Sequence, residues 1–191
     1  NAFLSKDDST LVPIKRAKMT HIGCKASMFS FNRLSGADPI LGVEMTSTGE
    51  VGVFGRDKHE VILKAMLCQG FRFPSKAALI VIDVDAEAEA FVPYAKMLAT
   101  KLKLVCSAQT QAVFAKHGIQ SAVAALPKSG TKPDMEDLLE ARDVDLCVQL
   151  RDKSKDFLLR RMQQQDAPAS YWIRRDAVDF NVPLITQVEI A

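Results

Sequence analysis

The C-terminal part of the sequence predicts an open, doubly wound α/β domain, in which a parallel sheet lies between two layers of helices in a Rossmann-like arrangement. Two observations lead to this prediction. From Ala78 onwards, short apolar runs alternate with helical patterns at the lengths expected for βαβ units. The run Ala78–Ile82 is apolar at every position, as in strands covered by helices on both faces. A small α+β fragment is expected before this run.

The predicted elements follow one another with short connections. Asp83 or Asp85 is expected to cap the first helix. Pro93 means that this helix either starts later than Asp85 or kinks, and Gly118 is expected to end the second helix. In order, the elements are a strand at Ala78–Ile82, a helix carrying Phe91, Ala95, Leu98 and Leu102, a strand at Leu102–Cys106, a helix at Thr110–His117, a strand at Ala122–Leu126, a helix capped by Asp134, a strand at Val144–Leu150, a short helix at Phe157–Met162, a helix at Tyr171–Phe180 and a strand at Val182–Val188.

The N-terminal part has a different pattern. Residues 1–28 show no sustained periodicity, and residues 28–53 are rich in Gly, Pro, Ser and Asp. An amphipathic helix over Asp57–Gln69 is followed by Gly70, which favours a helix end. We therefore divide the chain into an N-terminal unit at 1–70, a linker at 71–77 and the α/β domain at 78–191.

Charge and cysteine content exclude several classes of protein. The 25 basic and 23 acidic side chains leave a net charge of +2, which gives no global case for nucleic-acid or membrane binding. The four cysteines are dispersed, with no Cys-x-x-Cys, so neither a zinc site nor a disulfide framework is predicted and a reducing compartment is the default. No apolar run approaches the ~20 residues of a membrane span. Because the chain begins with Asn1 and ends without a stop pattern, we expect a piece of a longer polypeptide.

Residues 29–51 carry specific motifs in a fixed order. Phe-Ser-Phe-Asn-Arg-Leu at 29–34 precedes Gly-Ala-Asp-Pro at 36–39, Leu-Gly-Val-Glu-Met at 41–45 and Ser-Thr-Gly-Glu-Val at 47–51. This order closely resembles the end of the second ATP-grasp half of carbamoyl phosphate synthases. In that family the next domain has a methylglyoxal-synthase-like fold and senses allosteric effectors. The resemblance covers nearly the whole chain and implies an ATP-grasp remnant at 1–70 and an allosteric domain at 78–191.

The resemblance also implies what this chain lacks. In ATP-grasp enzymes the nucleotide-binding lysine and the magnesium ligands lie upstream, and nothing in residues 1–28 resembles them. We therefore expect no catalysis and no cofactor in this chain, whereas the parent enzyme would use ATP and Mg²⁺ to make carbamoyl phosphate from bicarbonate and glutamine or ammonia. The expected partners are the remainder of the synthetase chain, a glutaminase domain or subunit and a small phosphorylated effector, but no nucleic acid or membrane. The expected location is cytoplasmic.

The loops after the strands contain the candidate site residues, because open parallel sheets bind ligands beyond the carboxyl ends of their strands. Hydroxyls and backbone N–H groups at a helix N-terminus suit phosphate or carboxylate, although Ser107 is equally well explained as an N-cap. Lysines in the loop at 127–133 suit phosphate, or are ordinary solvated surface. The candidates are Ser107, Gln109, Thr110, Lys128, Lys132, Gln149, Arg151, Asp152, Lys153, Lys155 and Arg174.

The resemblance adds roles to some of these residues. In the family the loop corresponding to Ser107–Thr110 is typically Thr-x-x-Thr and contacts the effector. Gln149 stands where relatives carry an Asn. Arg174 belongs to an Ile-Arg-Arg motif, in which one arginine faces the site or pairs with a neighbouring helix. The acidic loop at 83–87 departs from the Ser and Lys of nucleotide-regulated relatives, and its carboxylates would repel phosphate.

Three functions remain for the domain. The first is a regulatory module; the resemblance implies that it binds a uridine nucleotide as inhibitor or phosphoribosyl pyrophosphate as activator, between which the sequence does not choose. The second is an assembly module that only packs on the synthetase. The third, a methylglyoxal-synthase-type lyase, is disfavoured, because the glycine-rich phosphate loop and the Gly-Gly-Asp-Gln segment of that enzyme are absent and His117 lies away from the strand ends.

Overall fold

The computed structural model describes residues 18–41, 47–150 and 167–187. An N-terminal hairpin and helix precede a five-stranded α/β sheet. The strands are β1 (Ile22–Met28), β2 (Gly49–Gly55), β3 (Ala77–Ile82), β4 (Lys103–Cys106), β5 (Ala122–Val123), β6 (Leu146–Leu150) and β7 (Leu184–Ile185). The helices are α1 (Lys58–Cys68), α2 (Asp85–Ala99), α3 (Ala108–Lys116), α4 (Met135–Glu140) and α5 (Ala169–Asp179), with a 3₁₀ turn at Phe31–Arg33.

The N-terminal hairpin pairs β1 with β2 in antiparallel register, from Ile22 opposite Gly55 to Met28 opposite Gly49. One of its faces packs on α1, where Val53, Val61 and Ala65 form a small core. Gly55 permits this approach, because a Cβ there would lie 2.7 Å from the Val61 side chain. Residues 22–28 form a regular strand although the sequence shows no sustained periodicity there, because the strand owes its order to pairing with β2, which no local period reveals.

The larger sheet has the strand order β5-β4-β3-β6-β7, and all its strands are parallel. β3 lies at the centre, between β4 and β6, and all six of its residues are buried. The chain runs outwards from β3 to β5 and then crosses to β6 on the other side. This reversal places a crevice at the carboxyl ends of β3 and β6, where open α/β sheets bind ligands.

Two cores cover opposite faces of the sheet, as doubly wound folds require. On one face, Ile80 and its neighbours pack against Phe91 of α2 and Phe114 of α3. On the other face, Leu79 and its neighbours pack against Leu139 of α4 and Ile173 of α5. Within the described ranges, two helices cover each face, which confirms the predicted three-layer α/β fold.

The start of α2 differs from the prediction. Neither Asp83 nor Asp85 caps the helix: Val84 is the N-cap and gives no side-chain hydrogen bond, and Asp85 is already helical. Pro93 lies in the helix interior, so it does not delay the start. Tertiary packing explains both results, because Phe91 and Ala95 are fully buried against the sheet and hold the helix despite a lost backbone hydrogen bond.

At the other boundaries the elements either agree with the predictions or are shorter than predicted. Ser107 and Asp134 are N-caps, and Gly118 follows α3 with a left-handed φ of 72°. The predicted strand Ala122–Leu126 keeps only two residues in β5, followed by a bridge between Ala125 and Asp134.

The predicted last strand is also shorter, since β7 spans only Leu184–Ile185 and residues 188–191 lie outside the described part. The predicted helix Phe157–Met162 lies outside it as well. Ala77, assigned to the linker, is the first residue of β3; the division into two units otherwise stays a prediction. In the described ranges, no helix has both the length and the apolar character to span a membrane.

Candidate functional site

The N-terminal turn of α3 lies at the carboxyl ends of β3 and β4. Ser107 caps the helix by accepting a hydrogen bond from the Thr110 amide. The Thr110 hydroxyl is fully buried, lies 2.9 Å from the Ser107 hydroxyl and accepts a hydrogen bond from the Ile82 amide at 2.9 Å. These two predicted site residues therefore tie α3 to the end of β3, and both hydroxyls already have partners within the fold.

An acidic pair lies beside this turn. The Gln109 side chain donates to the Asp85 carboxylate at 2.9 Å and to the Asp83 backbone carbonyl at 3.3 Å. Gln109 is exposed, so it can also reach a ligand. The amide therefore supplies hydrogen-bond donors to the acidic loop that follows β3.

The two predicted lysines are paired with carboxylates of α4 or its cap. Lys128 lies 3.1 Å from Glu136, and its ammonium lies 5.1 Å from the centre of the Trp172 ring. Lys132 contacts Asp137 at 2.8 Å and Asp134 at 3.1 Å, and its hydrogen bond to Asp137 is the main cause that raises the pKa of Lys132. Both lysines are more than half exposed, so these pairs are accessible to a competing anion.

A buried network connects the sheet edge to the N-terminal unit. The amide nitrogen of Gln149, on β6, lies 3.3 Å from the Asp83 carboxylate, and the oxygen of the same side chain accepts a hydrogen bond from Arg174 at 2.7 Å. Arg174 also donates twice to the Asp38 carboxylate, at 2.9 and 2.6 Å. Arg174 and Gln149 are fully buried, so of the two roles foreseen for Arg174 the geometry shows an ion pair, with a partner on the N-terminal unit and not on a helix.

Sequence reasoning missed the neighbouring contacts. Arg175 donates to the backbone carbonyls of Phe31, Leu34 and Ala37. The Tyr171 hydroxyl donates to the Gly36 carbonyl at 2.8 Å. The Ile-Arg-Arg and Gly-Ala-Asp-Pro motifs were visible in the sequence, but nothing local indicates that they bind each other across more than 130 positions.

Four predicted site residues, Arg151, Asp152, Lys153 and Lys155, lie outside the described part of the chain. β6 ends at Leu150, one residue after Gln149. The remaining candidates form three groups: Ser107, Gln109 and Thr110 at the start of α3, Lys128 and Lys132 in the loop before α4, and Gln149 with Arg174. Gln109 and Gln149 both donate to Asp83, so the first and third groups meet at that residue.

Two other features lie away from these groups. A cleft of about 440 Å³ between the end of α1 and β7 contains none of the predicted site residues. Burial raises the pKa of the Cys106 thiol to about 11 and that of the Cys147 thiol to about 12, so at neutral pH neither is a thiolate. The first amides of α3 and the ammonium groups of Lys128 and Lys132 are the kinds of donor that non-covalent anion binding uses.

Comparison with known proteins gives one family. Residues 90–186 match the model of the MGS-like domain. The chain is 37% identical over 175 residues, 90% of its length, to the multifunctional protein ura1 of Schizosaccharomyces pombe. It is 34% identical over 190 residues, 95% of its length, to the multifunctional protein URA2 of Saccharomyces cerevisiae. It is also 34% identical over 175 residues, 89% of its length, to the mitochondrial carbamoyl-phosphate synthase (ammonia) of Homo sapiens.

These relatives are much longer than this chain, which matches 8% of the two multifunctional proteins and 11% of the human synthase. The matched stretches nevertheless cover nearly all of its own residues, and they agree with the resemblance seen in the motifs at 29–51. The chain therefore belongs to the MGS-like domain family, in the form that carbamoyl-phosphate synthases and the related multifunctional proteins contain.

Proposed function

We propose that this chain is the regulatory region of a carbamoyl phosphate synthase, and that a small phosphorylated effector binds in the crevice at the carboxyl ends of β3, β4 and β6. The carrying observation is the prearranged N-terminal turn of α3. Ser107 and Thr110 lock this turn onto β3, and the first amides of a helix have no acceptor within it. A phosphate can accept from them at the positive end of the helix dipole.

The lysine pairs support this proposal. Exposed ion pairs contribute little net free energy, so a phosphate with two negative charges can compete with Glu136 or Asp137 for Lys128 and Lys132. Lys128 also has a left-handed φ of 61°, a backbone conformation that is strained for a residue other than glycine. In this proposal Gln149 and Arg174 act indirectly, because both are buried beneath the edge.

The choice between a uridine nucleotide and phosphoribosyl pyrophosphate belongs to experiment. The parent enzyme would make carbamoyl phosphate with ATP and Mg²⁺, together with the rest of the synthetase and a glutaminase domain or subunit; the names of the relatives support the synthase part of this statement. Effector binding would change the equilibrium of the synthetase by about 1–3 kcal/mol, the usual size of an allosteric coupling. The cytoplasmic location stays a prediction.

A second candidate, an assembly module without a ligand, is favoured by one observation. The Ser107 and Thr110 hydroxyls are already satisfied inside the fold, and Asp83 and Asp85 bring negative charge to the same edge. In such a module the side chains of the crevice would only stabilise the fold and would bind no ligand.

Isothermal titration calorimetry separates the two candidates. The chain is titrated with UMP, UTP, phosphoribosyl pyrophosphate and N-acetylglutamate. Gln109→Glu places a carboxylate in the exposed first turn of α3, beside Asp85, where it repels phosphate although the helix dipole partly offsets its charge. We expect a phosphorylated ligand to bind the unmodified chain, and to bind the Gln109→Glu variant with an affinity about tenfold lower or weaker still.

Gln120→Glu is the matched control, because Gln120 is exposed and precedes β5 at the opposite edge of the sheet. It should leave the affinity unchanged. Absence of binding by a chain that circular dichroism shows to be folded would favour the assembly module.

A further inference from the structure

We infer that Arg174 links the ligand crevice to the segment at 31–38, so that a change at either end alters the other. The relay consists of Asp83, Gln149, Arg174 and Asp38, and it joins the carboxyl edge of the sheet to the Gly-Ala-Asp-Pro motif. Its response to a ligand rests on the proposed function. The linkage between its two ends can be measured without any ligand.

The crevice end of the relay lies where the strand order reverses. Gln149 is paired with Val81 in the register between β6 and β3, and the Asp83 amide donates to the Leu150 carbonyl at 2.9 Å. The polar side chain of Gln149 is therefore held directly beneath the loop that follows β3. Movement of this loop changes the position of the Asp83 carboxylate, which lies 3.3 Å from the Gln149 amide.

The middle of the relay cannot lose one partner without consequence. Arg174 is fully buried, and it shares its charge between the two oxygens of Asp38 and the oxygen of Gln149. A buried guanidinium that loses a hydrogen-bond acceptor is left with uncompensated polar groups, so its contacts strengthen or weaken together. Arg174 is thus a positioning residue whose two ends are coupled.

The other end of the relay carries a segment that rests on α5. Residues 31–38 are attached through Asp38, through three carbonyls bound by Arg175 and through the Gly36 carbonyl bound by Tyr171. All three anchoring side chains belong to α5. A change in the crevice that displaces α5 slightly, through the contact between Gln149 and Arg174, therefore moves the whole segment at 31–38.

Arg175 provides a contrast within the same helix. Its partners are the segment at 31–37 and the Asp179 carboxylate, and the hydrogen bonds found for it in the described ranges do not reach the sheet edge. Loss of the Asp179 partner should loosen the segment without changing the crevice. Loss of the Asp38 carboxylate charge should change both.

Amide hydrogen exchange measured by NMR on the 191-residue chain tests the relay without a ligand. Asp38→Asn keeps the side-chain shape but removes the charge from Arg174. We expect faster exchange at Ala37, whose amide donates to the Leu34 carbonyl, and also about fivefold or faster exchange at Asp83, whose amide reports the crevice edge. Asp179→Asn should accelerate exchange at Ala37 and leave Asp83 unchanged.

The reverse experiment uses Gln149→Met, which removes the amide at similar size and should accelerate exchange at Ala37. If Asp38→Asn does not fold, Asp38→Glu keeps the charge and disturbs only the two-point geometry, and it should give the same pattern with smaller changes. Asp83 exchange that is equal in the parent and in either folded Asp38 variant would overturn the inference.

Addition of UTP or phosphoribosyl pyrophosphate completes the test. We expect a ligand that binds to change the exchange rate at Ala37 in the parent but not in Asp38→Asn. Binding without a change at Ala37 would contradict the relay and leave the regulatory site intact. Absence of binding would contradict the proposed function, whereas the ligand-free exchange rates would still decide whether the relay exists.

Discussion

Asp176 shows how one residue of α5 is held in an unusual state. Its carboxylate is buried, and one of its oxygens has no hydrogen-bond partner in the described ranges. Burial, followed by the nearby charge of Glu136, raises the pKa of Asp176 from 3.8 to about 7. The folded chain therefore keeps a proton on Asp176 at pH values where the unfolded chain has lost it.

Asp176→Asn should remove this pH dependence. Between pH 3.8 and about 7 the folded parent binds more protons than the unfolded parent, so its free energy of unfolding falls as the pH rises through this window. The neutral variant avoids this loss and should be more stable than the parent at pH 8, by on the order of 1–3 kcal/mol. Urea unfolding at pH 5 and pH 8 measures the difference.

The control for Asp176 is Glu140→Gln, which changes an exposed carboxylate on α4. It should change stability little and equally at both pH values. The prediction is wrong if the difference in free energy of unfolding between the unmodified chain and Asp176→Asn is the same at pH 5 and pH 8.

At the scale of elements, α2 contains a residue that opposes its own helix. Pro93 is exposed in the interior of α2, where it cannot donate to the Glu89 carbonyl. The buried side chains Ala88, Phe91, Val92 and Ala95 hold the helix against the sheet. Packing has therefore overridden local propensity.

Pro93→Ala should stabilise the chain, because it restores a backbone donor and removes the clash with the preceding turn. We expect a gain of about 1–3 kcal/mol in the free energy of unfolding. Pro74→Ala, in the linker outside any helix, should give no gain, because removing a proline there only increases the freedom of the unfolded chain. Equal effects of the two variants in urea unfolding would show that α2 is not strained at Pro93.

At the scale of the whole molecule, Asp145 joins the linker to the sheet. Its carboxylate accepts hydrogen bonds from the amides of Ser75, Lys76 and Ala77 at 2.6, 2.9 and 3.1 Å. Partial burial raises the pKa of Asp145, but these N–H groups outweigh it and hold the pKa below its usual value. The chain that leaves the N-terminal unit is thereby fixed to the start of β3 and to the loop before β6.

Asp145→Asn should destabilise the chain at pH 7 by about 1–3 kcal/mol, since its amide nitrogen cannot accept from backbone donors. A lowered carboxylate pKa contributes stability above the unfolded value of 3.8 and loses it as the pH falls through the folded pKa. The difference between parent and variant should therefore shrink below pH 3.8. Thermal unfolding across this range measures it.

Asp143→Asn serves as the control for Asp145, because Asp143 is an exposed carboxylate two positions earlier. Its effect should be small at every pH. If Asp145→Asn matches it at pH 7, the linker is not anchored by Asp145.

The sequence by itself determined the features whose causes are local. The apolar run at 78–82 predicted the central strand, because a strand covered on both faces needs apolar side chains at every position. Ser107 and Asp134 were recognisable as caps and Gly118 as a helix end, because caps and left-handed turns depend on side chains within a few residues. The motifs at 29–51 identified the family that the comparisons then confirmed.

Only the tertiary structure decided what depends on residues far apart in the chain. β1 exists because it pairs with β2, α2 continues through Pro93 because it packs on the sheet, and Lys128 and Lys132 are paired because their loop folds back on α4. Arg174 could be chosen from the sequence, but its partner Asp38 could not, because the two are 136 positions apart. Pairing, burial and buried charge are properties of the folded chain, so no local pattern contains them.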